Sequence, residues 1–468
     1  MMKDILVKDI IKICNGKLIC GNEEQIITNI IKDTREIKKG DTYIGFKGEH
    51  NDGNLMFEDA LKNGAEICIL QAKSIENKFN LEELKEKYND RTVILVEDTV
   101  DALQKLATFK RNMYDIPVIG ITGSVGKTST KDIIASVMSK KYNVLKTLGN
   151  YNNQIGLPLT VLRLKDENAM VVEMGMNQKG EISKLTKIAK PTVAVITNVG
   201  TAHIGNLGSR ENILKAKLEI LEGLENGGTL IINNDNDMLN KWNKENKKYN
   251  VITYGIENKS DIMPYDIVLS ENGSTYKIDI EGKTYNVNVS VGGNHFVLNS
   301  LCAIAIGRLF YIDMKDILEG IANFELTKRR MQVEKNKEGV TIINDCYNAN
   351  YDSMKAAIDY LGKINANKKI AVLGDMLELG EYSKSLHEKV GEEVAENHVD
   401  ILITVGELSK YIAQKAEDNG MKKENIFMCN NNDEAINLIK QKASNRDAVL
   451  LKASNSMNFQ EIFDKIYN

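Results

Sequence analysis

One short segment carries the clearest chemical signature in the chain: Gly123-Ser124-Val125-Gly126-Lys127-Thr128-Ser129. Glycines allow the backbone N–H groups of such a loop to turn inward around phosphate oxygens. The lysine of this pattern reaches the β- and γ-phosphates of a nucleotide, and the hydroxyl after it suits Mg²⁺. The spacing departs from the strict G-x-x-x-x-G-K-[ST] pattern, because Ile121 stands where the first glycine belongs and the glycine is Gly120. We predict a nucleotide phosphate site, with a plain glycine turn at the end of a strand as the alternative.

Two polar residues follow apolar runs in a way that suits a metal site. Glu173 closes the run MVVE, and a carboxylate from a neighbouring strand is a common partner of a Mg·ATP site. His203 follows the run TVAVITNV, and ligands gather beyond the carboxyl ends of strands in open α/β sheets. The alternatives are a Glu that caps the next helix and a single structural His.

The elements around the glycine loop form a strand, a turn and a helix in that order. The run IPVIGIT is apolar throughout, as in a buried parallel strand. After the loop, one helical stripe carries Ile133, Ile134, Val137 and Met138. This order is what a phosphate-binding βα unit requires.

The chain as a whole predicts three α/β domains. Its 468 residues, at roughly 150 per domain, suggest about three. We expect a small α/β domain at 1–112, a central P-loop domain with a parallel sheet at 113–326, and a Rossmann-like α/β domain at 327–468. Residues 276–291 alternate apolar and polar side chains around Glu281-Gly282-Lys283, which indicates an antiparallel hairpin. The charged stretch at 326–339 is interpreted as a linker.

Composition narrows the function classes. With 42% hydrophobic residues and a net charge of −4, the chain is typical of a folded globular protein and lacks the basic surplus of a nucleic-acid-binding protein. Its six cysteines are scattered without a Cys-x-x-Cys pair, as for buried thiols in a reducing compartment. There is no secretory signal pattern and no apolar run of the roughly 18–20 residues that span a bilayer. A cytoplasmic protein without a membrane segment is expected.

Several segments, in their order along the chain, resemble the Mur ligase family: TGSVGKTST, GNYNNQIGLPLT, EMGMNQKGEI, ITNVGTAH, AKLEI, NDCYNANYDSM and AVLGDMLELGEYS. The resemblance implies an ATP- and Mg²⁺-dependent acid–amino-acid ligase. In this family, ATP phosphorylates the terminal carboxylate of a UDP-linked muramoyl peptide, and an amine then attacks the acyl phosphate. The motifs YNAN…SM and GDMLELGEYS favour the branch that adds D-alanyl-D-alanine (D-Ala-D-Ala) to UDP-MurNAc-tripeptide in peptidoglycan synthesis.

The resemblance also implies roles for individual residues. On the nucleotide side these are Lys127 for the γ-phosphate, Thr128 and Glu173 for one Mg²⁺, His203 for a second, Asn299 for the adenine, Arg330 for the phosphates and Asp345 for the ribose. Lys217 matches a lysine that is carbamylated in several relatives, with an ordinary solvated lysine as the alternative. On the substrate side they are Asp33, Thr34, Arg35 and Lys47 for the uridine nucleotide, and Asn152 and Asn153 for the muramoyl peptide.

Several positions depart from the family pattern: Phe296 stands where an Asn is usual, Asn54 replaces a His, Tyr351 a Pro, and Asn455 an Arg. The last change bears on the acceptor, because an Asn cannot reproduce the charged fork of a guanidinium. Alternatives therefore stay open: another acceptor such as D-Ala-D-Ser, lysine or diaminopimelate, a P-loop ATPase that drives a protein partner, or a degenerate ligase that only binds. The third residue of the stem peptide, lysine or diaminopimelate, is also open. A monomer is expected.

Overall fold

The protein is described by a computed structural model over residues 4–270 and 273–467. Residues 1–3 of the predicted first domain, 271–272 of the second and 468 of the third lie outside the described residues. The described strands form four sheets, of five, six, three and six strands. Three of the sheets are mixed or parallel and are joined by helices, which confirms the predicted α/β class with three domains.

The N-terminal domain contains strands β1 Lys17–Cys20, β2 Ile30–Ile31, β3 Thr42–Ile44, β4 Ile67–Gln71 and β5 Thr92–Val96. Its helices are α1 Val7–Cys14, α2 Phe57–Lys62, α3 Ala72–Glu76, α4 Leu81–Lys87 and α5 Thr99–Asn112. The sheet order is β1-β5-β4-β3-β2, with β1 antiparallel and the other pairs parallel. All residues of β5 are buried, because helices cover this sheet on both faces.

The central domain is built on strands β6 Val118–Thr122, β7 Val144–Lys146, β8 Ala169–Glu173, β9 Val193–Ile196, β10 Thr229–Asn233 and β11 Asn250–Tyr254. Its helices are α6 Lys127–Met138, α7 Gly156–Leu162, α8 Glu181–Ala189, α9 Ile204–Leu207, α10 Arg210–Leu218, α11 Asp237–Glu245, α12 Asn294–Leu309 and α13 Met314–Ala322. The sheet is parallel in the order β11-β10-β9-β6-β8-β7. Strand β6 lies between β9 and β8, so the ends of these three strands meet at one edge.

The central domain also contains a small antiparallel sheet. Its strands are β12 Pro264–Ser270, β13 Gly273–Ile280 and β14 Lys283–Val289. The pairing of β13 with β14 around Glu281-Gly282 confirms the predicted hairpin. One face of the hairpin is buried through Tyr276, Ile278, Val287 and Val289, which accounts for the alternation in the sequence.

The C-terminal domain contains strands β15 Gln332–Lys335, β16 Thr341–Asn344, β17 Lys369–Gly374, β18 Ile401–Val405, β19 Ile426–Cys429 and β20 Ala448–Lys452. Its helices are α14 Tyr351–Lys363, α15 Ser383–Glu396, α16 Lys410–Asp418, α17 Asn432–Lys442 and α18 Phe459–Tyr467. The order is β15-β16-β20-β17-β18-β19, with only β15 antiparallel among the described pairs. Interpreting 326–339 as a linker was therefore partly wrong: β15 is an edge strand, and edge strands tolerate the charged residues that suggested a loop.

Two general expectations are also answered. All six cysteines are buried and unpaired, as predicted. Across residues 4–270 and 273–467, none of the helices combines the length and the apolar character that a membrane crossing needs.

Candidate active site

The glycine loop lies where the sequence placed it, between β6 and α6. Gly126 precedes α6 with φ 81°, in the left-handed region that favours glycine. Gly123 has no room for a side chain, because a Cβ there would lie 1.9 Å from Thr197 Oγ1. The backbone N–H groups of Ser124 and Val125 both donate to Asn198 Oδ1, each at 2.9 Å. Asn198, which the sequence analysis did not single out, thus fastens the loop to the end of β9.

Glu173 ends β8 beside this loop. It is 1% exposed, and its two carboxylate oxygens accept hydrogen bonds from Thr128 Oγ1 (2.9 Å) and Asn152 Nδ2 (2.7 Å). Among the described residues its side chain forms no ion pair; its hydrogen bonds come from neutral donors, and the charge of Lys127 acts on it from a longer distance. A buried carboxylate next to a hydroxyl is a hard oxygen donor set, which fits Mg²⁺.

The described residues contain no cluster of three or more His, Cys, Asp or Glu that could hold a metal ion. Mg²⁺ usually takes one or two protein oxygens and completes its shell with water and phosphate oxygens. The pair Thr128 and Glu173 therefore suits a cation that arrives with a nucleotide.

Two lysines lie near each other at the loop, of which Lys127 is half-buried and Lys217 is buried. Lys127 Nζ donates to Gly123 O at 2.8 Å, and burial lowers the pKa of Lys127. Lys217, in α10, is 1% exposed and forms no hydrogen bond or ion pair with the described residues. Burial and the charge of Lys127 hold the pKa of Lys217 well below its ordinary range. Its side chain therefore favours a neutral, nucleophilic amine over a solvated ammonium.

Arg330, from the C-terminal domain, lies beside the glycine loop of the central domain. Its guanidinium lies 3.9 Å from the centre of the Tyr347 ring, and Nη2 is 3.5 Å from Thr128 Oγ1. Its Nε is buried without a hydrogen-bond partner. The ring holds the planar guanidinium by stacking and leaves hydrogen-bond donors for an anion. Tyr347 lies within the YNAN motif but was not predicted to have this role.

A cavity of about 400 Å³ opens between the central and C-terminal domains. It is lined by most of the predicted phosphate, metal and peptide residues: Ser124, Val125, Gly126, Lys127, Thr128, Ser129, Asn152, Asn153, Glu173, His203 and Arg330. These residues come from the carboxyl ends of four strands, β6 to β9, and from two domains. Their convergence in one cavity is what the strand-end argument anticipated.

A second cavity of about 180 Å³ adjoins the other side of the loop and contains Asn299 and Asp345. Asn299 Oδ1 accepts from Thr130 Oγ1 at 3.0 Å, whereas its Nδ2 is buried without a partner and is free to donate to a ligand. Asp345 is paired with Lys452 at 2.5 Å. Burial lowers the pKa of the neighbouring His295 to about 4, so its ring is neutral at physiological pH. A flat cavity with these polar groups suits a nucleoside.

The two domains meet along a line that we call the domain seam. It consists of Thr201, His203, Gly205 and Gly208 on the central domain and of Asp352, Glu378 and Tyr382 on the C-terminal domain. Asp352 Oδ2 accepts from both the N–H and the hydroxyl of Thr201 at 2.7 Å. His203 Nδ1 lies 2.6 Å from Glu378 Oε2, and Tyr382 Oη donates to Gly208 O at 2.7 Å. The acids of the seam were not predicted as functional residues, although both lie within the quoted motifs.

The predicted uridine residues lie in the N-terminal domain. Asp33 accepts the backbone N–H of Arg35 at 3.0 Å and pairs with its guanidinium at 2.6 Å, around the turn that contains Thr34. Neither these residues nor Lys47 line the larger cavity, within the described part of the chain. Lys32 Nζ lies 5.3 Å from the centre of the Tyr151 ring, which connects this region to the loop that carries Asn152.

Asn153 has a local role in the structure. Its Oδ1 accepts the N–H groups of Ile155 (3.1 Å) and Gly156 (2.8 Å) at the start of α7. The side chain that contacts Glu173 is Asn152, so the two neighbouring asparagines do different things.

Three of the departures from the family pattern have structural explanations. Asn54 is buried, and its Oδ1 accepts the N–H of Gln71 at 2.8 Å. Tyr351 takes the first position of α14, where a proline is also well tolerated because that N–H has no helical partner. Asn455 Oδ1 accepts from Arg329 Nη2 at 2.9 Å, so a guanidinium reaches this position from another part of the chain.

Comparison with known proteins supports the same interpretation. The chain matches the Mur ligase family, catalytic domain, at 26–111, the Mur ligase middle domain at 121–307, and the Mur ligase, glutamate ligase domain at 329–455. It is 38% identical to the UDP-N-acetylmuramoyl-tripeptide–D-alanyl-D-alanine ligase of Bacillus subtilis over 460 residues, covering 97% of each chain. It is 30% identical to the enzyme of that name from Escherichia coli, covering 88% of each.

Solved structures agree. The crystal structure of MurF from Acinetobacter baumannii superposes with a TM-score of 0.86 at 27% identity, covering 100% of this chain and 99% of that one. MurF from Thermotoga maritima in complex with ADP gives a TM-score of 0.80 at 28% identity, covering 94% and 97%. The chain belongs to the Mur ligase family, the class that its three domains and interdomain cavity define. Within that family, it is similar to the UDP-N-acetylmuramoyl-tripeptide–D-alanyl-D-alanine ligases.

Proposed function

We propose that this protein joins D-Ala-D-Ala to UDP-MurNAc-tripeptide with hydrolysis of ATP to ADP and phosphate, giving UDP-MurNAc-pentapeptide for peptidoglycan synthesis. The observation that carries the proposal is the larger cavity. There an anion-binding loop, the buried carboxylate of Glu173 and the Arg330 guanidinium of another domain come together. The names of the curated relatives supply the substrates.

The reaction proceeds in two steps. A carboxylate oxygen of the tripeptide attacks the γ-phosphorus of ATP, the bond to the ADP oxygen breaks, and an acyl phosphate forms. The amine of D-Ala-D-Ala then attacks the acyl carbon, loses a proton to solvent, and expels phosphate. Such transfers depend on positioning and on neutralising phosphoryl charge.

Residues of this chain supply most of the groups that position the substrates and neutralise the phosphoryl charge. Lys127, the glycine loop and Arg330 are assigned to the phosphate oxygens, and Thr128 and Glu173 would hold a first Mg²⁺ through their oxygens. When bound, Mg²⁺ would offset the negative charge of the phosphates. His203 is assigned to a second Mg²⁺, together with a carbamylated Lys217. Asn299 and Asp345 line the nucleoside cavity and are assigned to the adenine and the ribose.

On the substrate side, Asp33, Thr34, Arg35 and Lys47 are assigned to the uridine nucleotide, and Asn152 with Asn153 to the muramoyl peptide. The contact of Lys32 with Tyr151 supports a continuous path from the N-terminal domain to Glu173. We place the reaction in the cytoplasm, where ATP is available and where six unpaired thiols stay reduced. A monomer is proposed.

The test is phosphate release from ATP by the purified protein with UDP-MurNAc-tripeptide, in its lysine and diaminopimelate forms. D-Ala-D-Ala, D-Ala-D-Ser, D-Ala or buffer is added in turn, and Lys127→Ala protein is the blank. We expect phosphate release only when both the tripeptide and D-Ala-D-Ala are present. The product should be heavier than the tripeptide substrate by one D-Ala-D-Ala unit. Phosphate release at the same rate with and without the two substrates would instead favour an ATPase that drives a protein partner.

A further inference from the structure

His203 and Glu378 form a close contact across the domain seam. The carboxylate oxygen of Glu378 lies 2.6 Å from Nδ1 of His203. A carboxylate accepts a hydrogen bond, so it keeps the ring hydrogen on Nδ1 and leaves Nε2 as the nitrogen with a free lone pair. His203 also lines the larger cavity, with 20% of its side chain exposed.

Both residues of this pair adopt a backbone conformation that is uncommon for them. His203 has φ 61° and Glu378 has φ 63°, the left-handed region that favours glycine. Such a conformation persists only where surrounding contacts hold it in place. The contacts around Glu378 do so: its carbonyl accepts the N–H of Gly205 at 3.2 Å, and the N–H of Leu377 donates to Ser454 Oγ at 2.9 Å.

We infer that Glu378 is a positioning residue for the second Mg²⁺, delivered by the C-terminal domain to hold His203 in the orientation and tautomer that bind the metal. The inference rests on the proposed role of His203. Mg²⁺ prefers oxygen ligands, so an imidazole is a weak ligand for it. A carboxylate on the other ring nitrogen makes the imidazole more basic and fixes its orientation. The second site therefore reaches full affinity only when the two domains meet.

A simpler role would be a plain ion pair that holds the domains together. The two roles differ in what the loss of Glu378 changes. A plain ion pair affects how often the domains meet, whereas a positioning residue sets the affinity of one metal site and leaves the other unchanged. Metal affinity can be measured without turnover.

The experiment titrates Mn²⁺ into the full-length protein with the ATP analogue AMPPNP and reads free Mn²⁺ by electron paramagnetic resonance. Wild type is compared with Glu378→Ala, Glu378→Gln and the control Glu381→Ala, whose side chain is exposed nearby on the same segment. We expect two Mn²⁺ sites in wild type and the control, and a roughly 10- to 100-fold weaker second site in Glu378→Ala. Glu378→Gln, which keeps an acceptor oxygen, should show a smaller loss.

Two results would overturn the inference. One is a Glu378→Ala titration that superposes on wild type. The other is a wild type that binds a single Mn²⁺ with AMPPNP, which would also remove the second metal from the proposed function. Two Mn²⁺ sites in a protein without ligase turnover would overturn the proposed function alone. Thermal unfolding checks each variant, and Glu378→Gln serves as the test if the alanine variant does not fold.

Discussion

Glu173 is the residue whose surroundings most directly indicate a cation. Its carboxylate is buried and touches only the neutral donors of Thr128 and Asn152. We expect Glu173→Gln, which keeps the size and removes the charge, to lower turnover by roughly 10²- to 10³-fold, as loss of one electrostatic group in an active site does. The measurement is the initial rate against Mg²⁺ concentration.

The matched control for this prediction is Glu211→Gln, which removes the same charge from an exposed position of α10. Thermal unfolding of both variants should resemble wild type. Near-wild-type turnover in Glu173→Gln would remove this residue from the metal site.

Lys217 is a buried lysine without a partner among the described residues. Burial and the charge of Lys127 hold the pKa of its amine well below the ordinary value, which favours the neutral form that can add to CO2 and release a proton. We expect turnover of CO2-depleted enzyme to rise when bicarbonate is added, and no such rise in an inactive Lys217→Ala. Native mass spectrometry should detect the added CO2. Equal activity with and without bicarbonate, in protein shown to be uncarbamylated, would contradict the carbamate.

At the scale of elements, a buried histidine supports the segment that carries Glu378. His387, in α15, is fully buried; its Nε2 accepts the N–H of Met376 at 2.9 Å, and its Nδ1 contacts the carbonyl of Ser383 at 2.7 Å. Burial lowers the pKa of His387 below its ordinary value. Protonation would convert the acceptor into a donor and break the contact with Met376.

The sign of the resulting pH dependence follows. Because the folded-state pKa is the lower one, the unfolded chain takes up the proton first when pH falls below about 6.5. We expect this contribution to the free energy of unfolding to be fully present above that pH. It should fall on acidification by roughly 1–2 kcal/mol, the cost of one lost buried hydrogen bond. Urea unfolding at about pH 7.5 and pH 5.5 measures it. In His387→Gln, which does not titrate, this part of the pH dependence should vanish; an unchanged difference would refute the assignment.

At the scale of the whole molecule, the cavity exists because two domains lie close along the domain seam. At Gly205 the two backbones approach closely: a Cβ there would lie 2.5 Å from the backbone nitrogen of Gly380. Gly205 lies in α9, so an alanine suits its own helix and clashes only with the other domain.

We therefore expect Gly205→Ala to fold normally and to hold the domains apart. Turnover should fall by roughly tenfold or more, because misplacing reacting groups by about 1 Å is costly. Small-angle X-ray scattering with Mg²⁺ and AMPPNP should give a larger radius of gyration than for wild type. Asn206→Ala, next in α9 and exposed, is the control. A compact, fully active Gly205→Ala would show that the domains need not meet in this way.

Much of the fold follows from the local sequence pattern, because the spacing of apolar side chains along the chain reflects whether an element is buried on one face or on two. The hairpin was predicted for this reason, and the phosphate loop was predicted from its glycine and lysine motif. Glu173 and His203 share a cavity because the ends of parallel strands meet at one edge. Strand β15 was missed because a charged edge strand resembles a loop. The domain bounds 1–112, 113–326 and 327–468 and the individual site roles stay predictions.

Residue types and their order were enough to predict a P-loop nucleotide site, a parallel central sheet and the family. They were not enough to find the contacts of Asp352, Glu378, Tyr347 or Asn198, or the arginine that reaches Asn455. The contacts of Asp352 and Glu378 cross between domains, and those of Asn198 and Asn455 join residues far apart in sequence within one domain. No local periodicity encodes how two folded surfaces dock, so such partners become visible only once the domains are packed against each other.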